Sequence, residues 1–383
     1  MKRTSSAALC VAAFLQMAGV GLIVTLLPGR VMSLSHSMVW VGAITSAFAV
    51  PFVLFQLPVG YLGDRYGYRI FIAAGYALAS VVGLLYFRAG SVFGILAGRA
   101  LQGLAEIPAW AVAPALLSSL YPDTRGLVIG RYNASFHLGL TAGSVASVLA
   151  SAVWSGGEIF LLYSAAGVLS AVIVALFVEE PARGVPGSGE TPGCRDVFRA
   201  LREIRTPSIL AGICLYGGGY GMFLTVVPGV LLREKGFGRS GVAVFFALFY
   251  VAISIAQVVA GRISDRLGRN VTMRAGLLLV AAGIIPFAWA EGWTALAFLT
   301  AASLGLGAFC VSAMASLVEA VPATLKGSAS AVFYVLWGLG YFLAPPALSA
   351  LGGAVGFRAA FPIVGAVVLA EFAALWANGR AGQ

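Results

Sequence analysis

Gly60-Tyr61-Leu62-Gly63-Asp64-Arg65-Tyr66-Gly67-Tyr68-Arg69 is a short run of glycines and charges set between two long apolar stretches. It recurs farther on as Gly261-Arg262-Ile263-Ser264-Asp265-Arg266-Leu267-Gly268-Arg269. A shift of 201 residues carries Gln56, Gly60, Asp64, Arg65 and Gly67 onto Gln257, Gly261, Asp265, Arg266 and Gly268. A shift of 200 carries Gly19, Gly21, Thr25, Pro28 and Gly29 onto Gly219, Gly221, Thr225, Pro228 and Gly229, and Pro122 and Gly126 are matched by Pro322 and Gly327. The chain is therefore an internal repeat of two halves.

Composition fixes the solvent those halves live in. Sixty per cent of the 383 residues are hydrophobic and 10% are charged, with a mean hydropathy of +0.96. A soluble chain carries roughly 25% charged residues, so lipid must cover much of this surface. The 49 glycines suit close packing of membrane helices. A net charge of +10 does not form a nucleic-acid-binding face, because the charges fall almost entirely between apolar runs. Cys10, Cys194, Cys214 and Cys310 match no metal spacing and read as small buried hydrophobes, with no disulfide framework and no metal site.

A spanning helix needs about 20 mostly apolar residues. Spans are expected near 6–28, 38–62, 70–88, 91–118, 127–153 and 157–178, then near 208–231, 239–263, 271–290, 293–318, 328–351 and 357–377. The expected fold is an all-α membrane protein of twelve transmembrane helices in two six-helix bundles, 1–178 and 208–383. Closed β-barrels need short alternating strands and do not fit these unbroken runs. Lys2 and Arg3 ahead of an apolar run have the look of a secretory leader, but the length and the counterpart in the second half make this the first span.

Both copies begin on the same side, which makes the repeat parallel, about an axis along the membrane normal. Seventeen Lys and Arg fall on the side of the N-terminus and six on the other, with Arg99 inside a span. Both termini are thus expected in the cytoplasm, in a bacterial cytoplasmic membrane. The connection 179–207 starts with a Pro/Gly/Ser-rich stretch and continues with Val197, Leu201 and Ile204 at helical spacing among arginines. A short amphipathic helix on the anionic leaflet is expected there.

The glycine-rich stretch at Gly60–Arg69, with its echo, resembles the loop signature between spans 2 and 3 of the major facilitator superfamily, and the resemblance covers essentially the whole chain. It implies two bundles rocking about a central cavity lined by spans 1, 2, 4, 5, 7, 8, 10 and 11. It also implies a cytoplasmic latch made by Gly60, Asp64, Arg65, Gly67, Arg69, Gly261, Asp265, Arg266, Gly268 and Arg269. Physically, the glycines let spans 2 and 11 approach, and Asp64 at a membrane boundary needs partners such as a helix N-terminus or nearby arginines; alternatively these charges only set topology. Gly19 to Pro28 and Gly98-Arg99-Ala100-Leu101-Gln102-Gly103 are similar to patterns of the drug:proton antiporter branch. Span 5 departs from that branch, reading Gly143-Ser144-Val145-Ala146-Ser147 where a Gly-Pro pair followed by two glycines is the pattern.

A charge in hydrocarbon costs about 2.5–3.5 kcal/mol on insertion scales. Arg99, Gln102, Glu106 and Trp110 form one stripe on span 4 through i+3 and i+4 steps, expected to face water and substrate. Asn133 and His137 share a face of span 5, at a depth similar to that of Glu106. Glu106 is the expected proton-coupling carboxylate, with Arg99 or His137 tuning it, since a desolvated carboxylate takes up a proton more readily; a static polar network is the other reading. Glu371 and Glu319 read as interfacial, snorkelling or paired groups. Further candidate cavity residues are Gln16, Thr25, Gln56, Tyr216, Tyr220, Thr225, Tyr250, Gln257, Tyr334, Trp337 and Tyr341, though aromatic residues in spans also serve as packing.

The expected activity is proton-coupled export of small hydrophobic or amphipathic organic compounds by a monomer, through alternating access. The rivals are an uptake symporter or uniporter for a nutrient or organic anion, held by Arg99, and a non-transporting receptor or scaffold on the same fold. No cofactor is expected, and no enzymatic activity, since no phosphate loop, metal constellation or nucleophile–base set is present and the only histidines are His36 and His137.

Overall fold

A computed structural model of the chain describes residues 2–24, 26–36, 38–153, 157–181 and 207–381. Every regular element among them is helical. The helices are α1 (Lys2–Val24), α2 (Leu27–Ser35), α3 (Met38–Leu54), α4 (Gln56–Tyr66), α5 (Tyr68–Arg88), α6 (Val92–Ile107), α7 (Ala113–Leu120), α8 (Arg125–Val153) and α9 (Glu158–Phe177). They continue as α10 (Pro207–Arg233), α11 (Arg239–Leu267), α12 (Arg269–Phe287), α13 (Gly292–Glu319), α14 (Lys326–Val355) and α15 (Phe357–Ala381). Among the described residues, ten helical stretches are long and apolar enough to cross a membrane, and the bent pair of α3 and α4 makes an eleventh. The 29-residue α8 stands where the fifth span was expected. The amphipathic helix expected at 195–205, Cys194 and Thr25 lie outside the described residues.

Proline accounts for the departures from simple spans. The expected second span is bent by 44° at Phe55. Pro58 supplies no N–H to the Leu54 carbonyl, and its ring crowds that oxygen, so the helix breaks there. The fourth span contains a π-turn, Pro108–Val112, between α6 and α7. Pro114 likewise has no N–H for the Trp110 carbonyl, and the wider turn absorbs the mismatch. The first span, expected to run to residue 28, ends at Val24, and a separate helix starts at Leu27.

By backbone contacts the chain falls into two compact units. The first takes Met1–Pro122, Ser135–Arg199 and Val321–Tyr334; the second takes Asp123–Ala134, Ala200–Ala320 and Val335–Gln383. In the first, α5 packs on α6 and α9, and α3 packs on α6. In the second, α12 packs on α13 and α15, and α11 packs on α13. These are the same neighbours at repeat-related positions, so the sequence repeat is also a packing repeat.

The charged glycine-rich turns match as well. Gly67 has φ of 113° and Gly268 has φ of 94°. Both lie in the region that side chains with a Cβ avoid, which lets one helix end and the next begin without a spacer.

Candidate functional site

Four side chains of the fourth span form a continuous chain of hydrogen bonds inside the first unit. Arg99 Nη1 donates to Gln102 Oε1 at 2.9 Å. Gln102 Nε2 donates to Glu106 Oε1 at 2.8 Å. Trp110 Nε1 donates to Glu106 Oε2 at 3.3 Å. Helical spacing sets this up, because each step is three or four residues and lands on one face.

Neighbouring helices close the site. Arg99 Nε donates to the Ile44 carbonyl at 3.3 Å, and its guanidinium lies 4.8 Å from the Phe48 ring centroid. Tyr86 Oη donates to Gln102 Oε1 at 2.8 Å, so that oxygen accepts from both Arg99 and Tyr86. Arg99, Gln102 and Glu106 are 8%, 1% and 5% exposed. The expected water-facing stripe is thus a buried relay, roofed by Phe48 and Tyr86. Buried ions in such a setting persist only where geometry and extra hydrogen bonds satisfy them.

Arg99 reaches Glu106 through the Gln102 amide and makes no ion pair with it. His137, buried on α8, is not among the hydrogen-bond partners of Glu106, which are Gln102 and Trp110. The Trp110 ring meets Phe136 at 4.7 Å, Tyr334 at 5.4 Å and Phe52 at 6.3 Å, all edge to face. An aromatic box therefore abuts the carboxylate.

The second unit carries a related cluster with different chemistry. Gln257 Nε2 approaches Cys310 Sγ at 3.6 Å, and Asn133 Nδ2 approaches it at 4.0 Å. A shift of 200 carries Trp110 onto Cys310, and a shift of 201 carries Gln56 onto Gln257 and Asn133 onto Tyr334. Equivalent positions thus hold a glutamine and two aromatic rings in one unit, and a glutamine, a thiol and an amide in the other. Cys310, read from the sequence as a buried hydrophobe, is buried but also belongs to this polar group; the repeat register was the signal that could have found it.

The remaining candidates divide by surroundings. Tyr220 stands among Phe249, Trp337, Tyr216 and Tyr341, with ring centroids 5.2, 5.8, 6.2 and 6.5 Å away. Trp337 stacks on Tyr341 at 4.9 Å, and Tyr250 packs on Phe249. Thr225 bonds back to the Gly221 carbonyl and lines a cavity of about 470 Å³ with Arg233, Pro345 and Phe357. Gln16 and Gln56 are 1% and 0% exposed.

The two charged turns form matching caps. The Asp64 carboxylate accepts from the Gly327 and Ser328 amides at 2.7 and 2.8 Å, from Ser328 Oγ at 2.7 Å and from Tyr68 Oη at 2.9 Å. It therefore caps the first turn of α14, whose N–H groups lack intrahelical partners. Gly60 makes room for this approach, since a Cβ there would lie 2.6 Å from the Gly327 carbonyl oxygen.

Asp265 does the same for α8, accepting from the Gly126 and Leu127 amides at 2.9 Å each. It also pairs with Arg269 at 2.6 Å, and Arg269 continues to Glu319 at 2.7 Å, which takes Arg125 at 3.2 Å. Glu319 is thus a member of an ion network. Glu180 accepts from the Tyr68 and Arg69 amides and caps α5, a contact absent from the sequence reading. Arg65 and Arg266 are exposed.

A polytopic helical bundle built on a repeat, with capped charged turns and an ionisable relay buried in a span, is the make-up of a membrane transporter. The chain belongs to the major facilitator superfamily: the model of that family matches residues 9–249 and 209–381. An uncharacterized MFS-type transporter of Methanocaldococcus jannaschii is 24% identical over 380 residues, covering 95% of this chain and 92% of that one. The human synaptic vesicular amine transporter is 25% identical over 354 residues, which is 89% of this chain but 66% of that protein, so the chain spans just under two thirds of its length. Among solved structures, the E. coli fucose:proton symporter superposes with a TM-score of 0.81 at 17% identity, covering 97% of this chain and 98% of that one. The fold is accordingly the all-helical major facilitator fold of an integral membrane transporter, and twelve spans are consistent with it.

Proposed function

We propose that this chain exports small hydrophobic or amphipathic organic compounds, organic amines among them, in exchange for protons, within the drug:proton antiporter branch of its family. Two six-helix halves, 1–178 and 208–383, alternate access to the site. The protein works as a monomer in a bacterial cytoplasmic membrane with both termini inside.

The observation that carries this reading is the Glu106 carboxylate, buried at 5% exposure and bound by Trp110, whose ring packs in turn on Tyr334, Phe136 and Phe52. A carboxylate next to a cluster of aromatic rings suits a cation bearing an apolar body. Proton and cation then compete for one oxygen pair, so loading either releases the other. The amine transporter relative supports the same substrate class. Arg99 is occupied by the Ile44 carbonyl, Gln102 and the Phe48 ring, which weighs against an organic anion as cargo.

The test is uptake of a lipophilic amine into proteoliposomes under an imposed pH gradient. Glu106→Gln is expected to abolish the drive from the gradient. Transport by that variant with the wild-type pH dependence would remove the proton role from Glu106.

A further inference from the structure

The last span holds one acidic residue, Glu371, in the run Val367-Val368-Leu369-Ala370-Glu371-Phe372-Ala373-Ala374-Leu375. Sequence alone suggests a snorkelling or paired group there. The structure gives neither. Glu371 is 8% exposed, its Oε1 is buried without a hydrogen bond, and the residue takes part in no ion pair among the described residues.

Three helices of the second unit surround it. On α10, Gly212 leaves an opening: a Cβ there would stand 3.2 Å from Glu371 Oε1 and against the Phe309 ring of α13. On α12, Arg274 Nη2 donates to the Leu375 carbonyl at 3.1 Å, while its Nε is buried with no acceptor. Leu375 follows Glu371 by four residues, on the same face and about 6 Å along the axis. A carboxyl without a donor and a guanidinium N–H without an acceptor thus belong to residues that meet α15 four positions apart.

The other ionisable groups on these helices are engaged elsewhere. Arg269 is bound by Asp265 and Glu319, and Cys310 lies with Gln257 and Asn133. The Tyr216 and Tyr220 rings pack against Phe309 and Phe249. Neither these groups nor Cys214 hydrogen-bonds Glu371. A buried polar atom left unsatisfied is destabilising, so two of them in one helix cluster call for a use. An intramembrane ionisable residue of this kind marks a proton or ion path more often than a packing site.

We propose that Glu371 is a second proton-binding site, served by Arg274 and separate from Glu106. With Arg274 docked on the Leu375 carbonyl, Glu371 keeps its proton. When the guanidinium swings from the Leu375 carbonyl to the carboxyl, the O–H bond breaks, the electron pair stays on the carboxylate and the proton passes to a water molecule of the aqueous phase as hydronium. Arg274 is a positioning residue in this exchange; Glu371 is the group that binds the proton. The site rests on its own residues and not on the Glu106 reading.

The test uses the full-length protein and a lipophilic carbodiimide, which modifies protonated carboxyls, with mass spectrometry of the peptide that contains Glu371. Modification is expected in acidic buffer and lost in alkaline buffer. Arg274→Gln removes the counter-charge and should raise modification in alkaline buffer by about tenfold, the ratio for one pKa unit. Arg274→Lys should restore the wild-type profile. No modification at Glu371 at any pH, or a profile that Arg274→Gln leaves unchanged, overturns the proposal. Glu106 is read in the same digest, so a negative result at Glu371 leaves the Glu106 proposal standing.

Discussion

The Asp64 carboxylate holds the amide of Gly327 at 2.7 Å, across 263 residues of sequence. With Ser328 and Tyr68 it completes four hydrogen bonds to one anion. A hydrogen bond to a charged group is worth about 1.5–3 kcal/mol. Asp64→Ala should therefore cost unfolding free energy on the order of 1.5–3 kcal/mol or more, read as a lower heat-denaturation midpoint in detergent, and Asp64→Asn should cost less, since one carbonyl oxygen still accepts. Equal midpoints for the wild type and Asp64→Ala would show that the cap contributes nothing.

Gln102 links the two charged ends of the α6 relay. Gln102→Leu keeps the volume and removes both amide atoms, leaving Arg99 and Glu106 each short of a partner. The expected cost is about 1–3 kcal/mol for each group left so, read as a lower unfolding midpoint. Tyr86→Phe removes one donor to the same oxygen and should cost less than Gln102→Leu.

Trp110 contributes both a ring and an N–H. Trp110→Phe keeps an aromatic face and loses the bond to Glu106, while Trp110→Ala loses both. Under the amine reading, a cation–π contact is worth about 0.5–2 kcal/mol. Half-saturating amine concentration in proteoliposomes should rise more for Trp110→Ala than for Trp110→Phe. The reverse order would remove the ring from the binding site.

Lys235 lies between α10 and α11, outside the spans. Its Nζ donates to the Ala288 and Ala290 carbonyls at 2.9 Å each, which caps the end of α12. Burial holds its ammonium below the ordinary value of 10.5, with Glu291 opposing that shift. Between the lowered folded value and 10.5, the unfolded chain binds a proton that the folded one has released, so folded stability rises with pH through that window. Lys235→Met should lower stability, and the wild-type advantage should widen as pH rises toward 10.5. Unfolding midpoints of both proteins across an alkaline series check the sign.

Local chemistry was readable from the sequence and distant pairing only in part. The Arg99, Gln102, Glu106 and Trp110 stripe follows from helical spacing, because each follows the last by three or four residues along one span. The place of Gln102 between the charges was not readable, since it depends on where rotamers point and on Tyr86 and Phe48 from other helices. Hydropathy located the spans, but the π-turn at Pro108–Val112 answers to a proline clash that leaves the apolar run unbroken. The need of Asp64 for a helix N-terminus could be argued from its charge, and Gly327 and Ser328 emerged only in three dimensions. The enclosure of Glu371 by Gly212 and its neighbours was not readable, because a single acid in an apolar run says nothing about which side chains surround it.

The make-up of the first unit sets an order on biosynthesis. It includes Val321–Tyr334, the segment whose amides Asp64 needs, and a ribosome delivers that segment only after 320 of the 383 residues are out. Asp64 must therefore wait in the nascent chain with its carboxylate on water or lipid headgroups. A chain that stalls before residue 321 cannot finish its own amino-terminal unit, and quality control meets that fragment with an unanswered acidic turn.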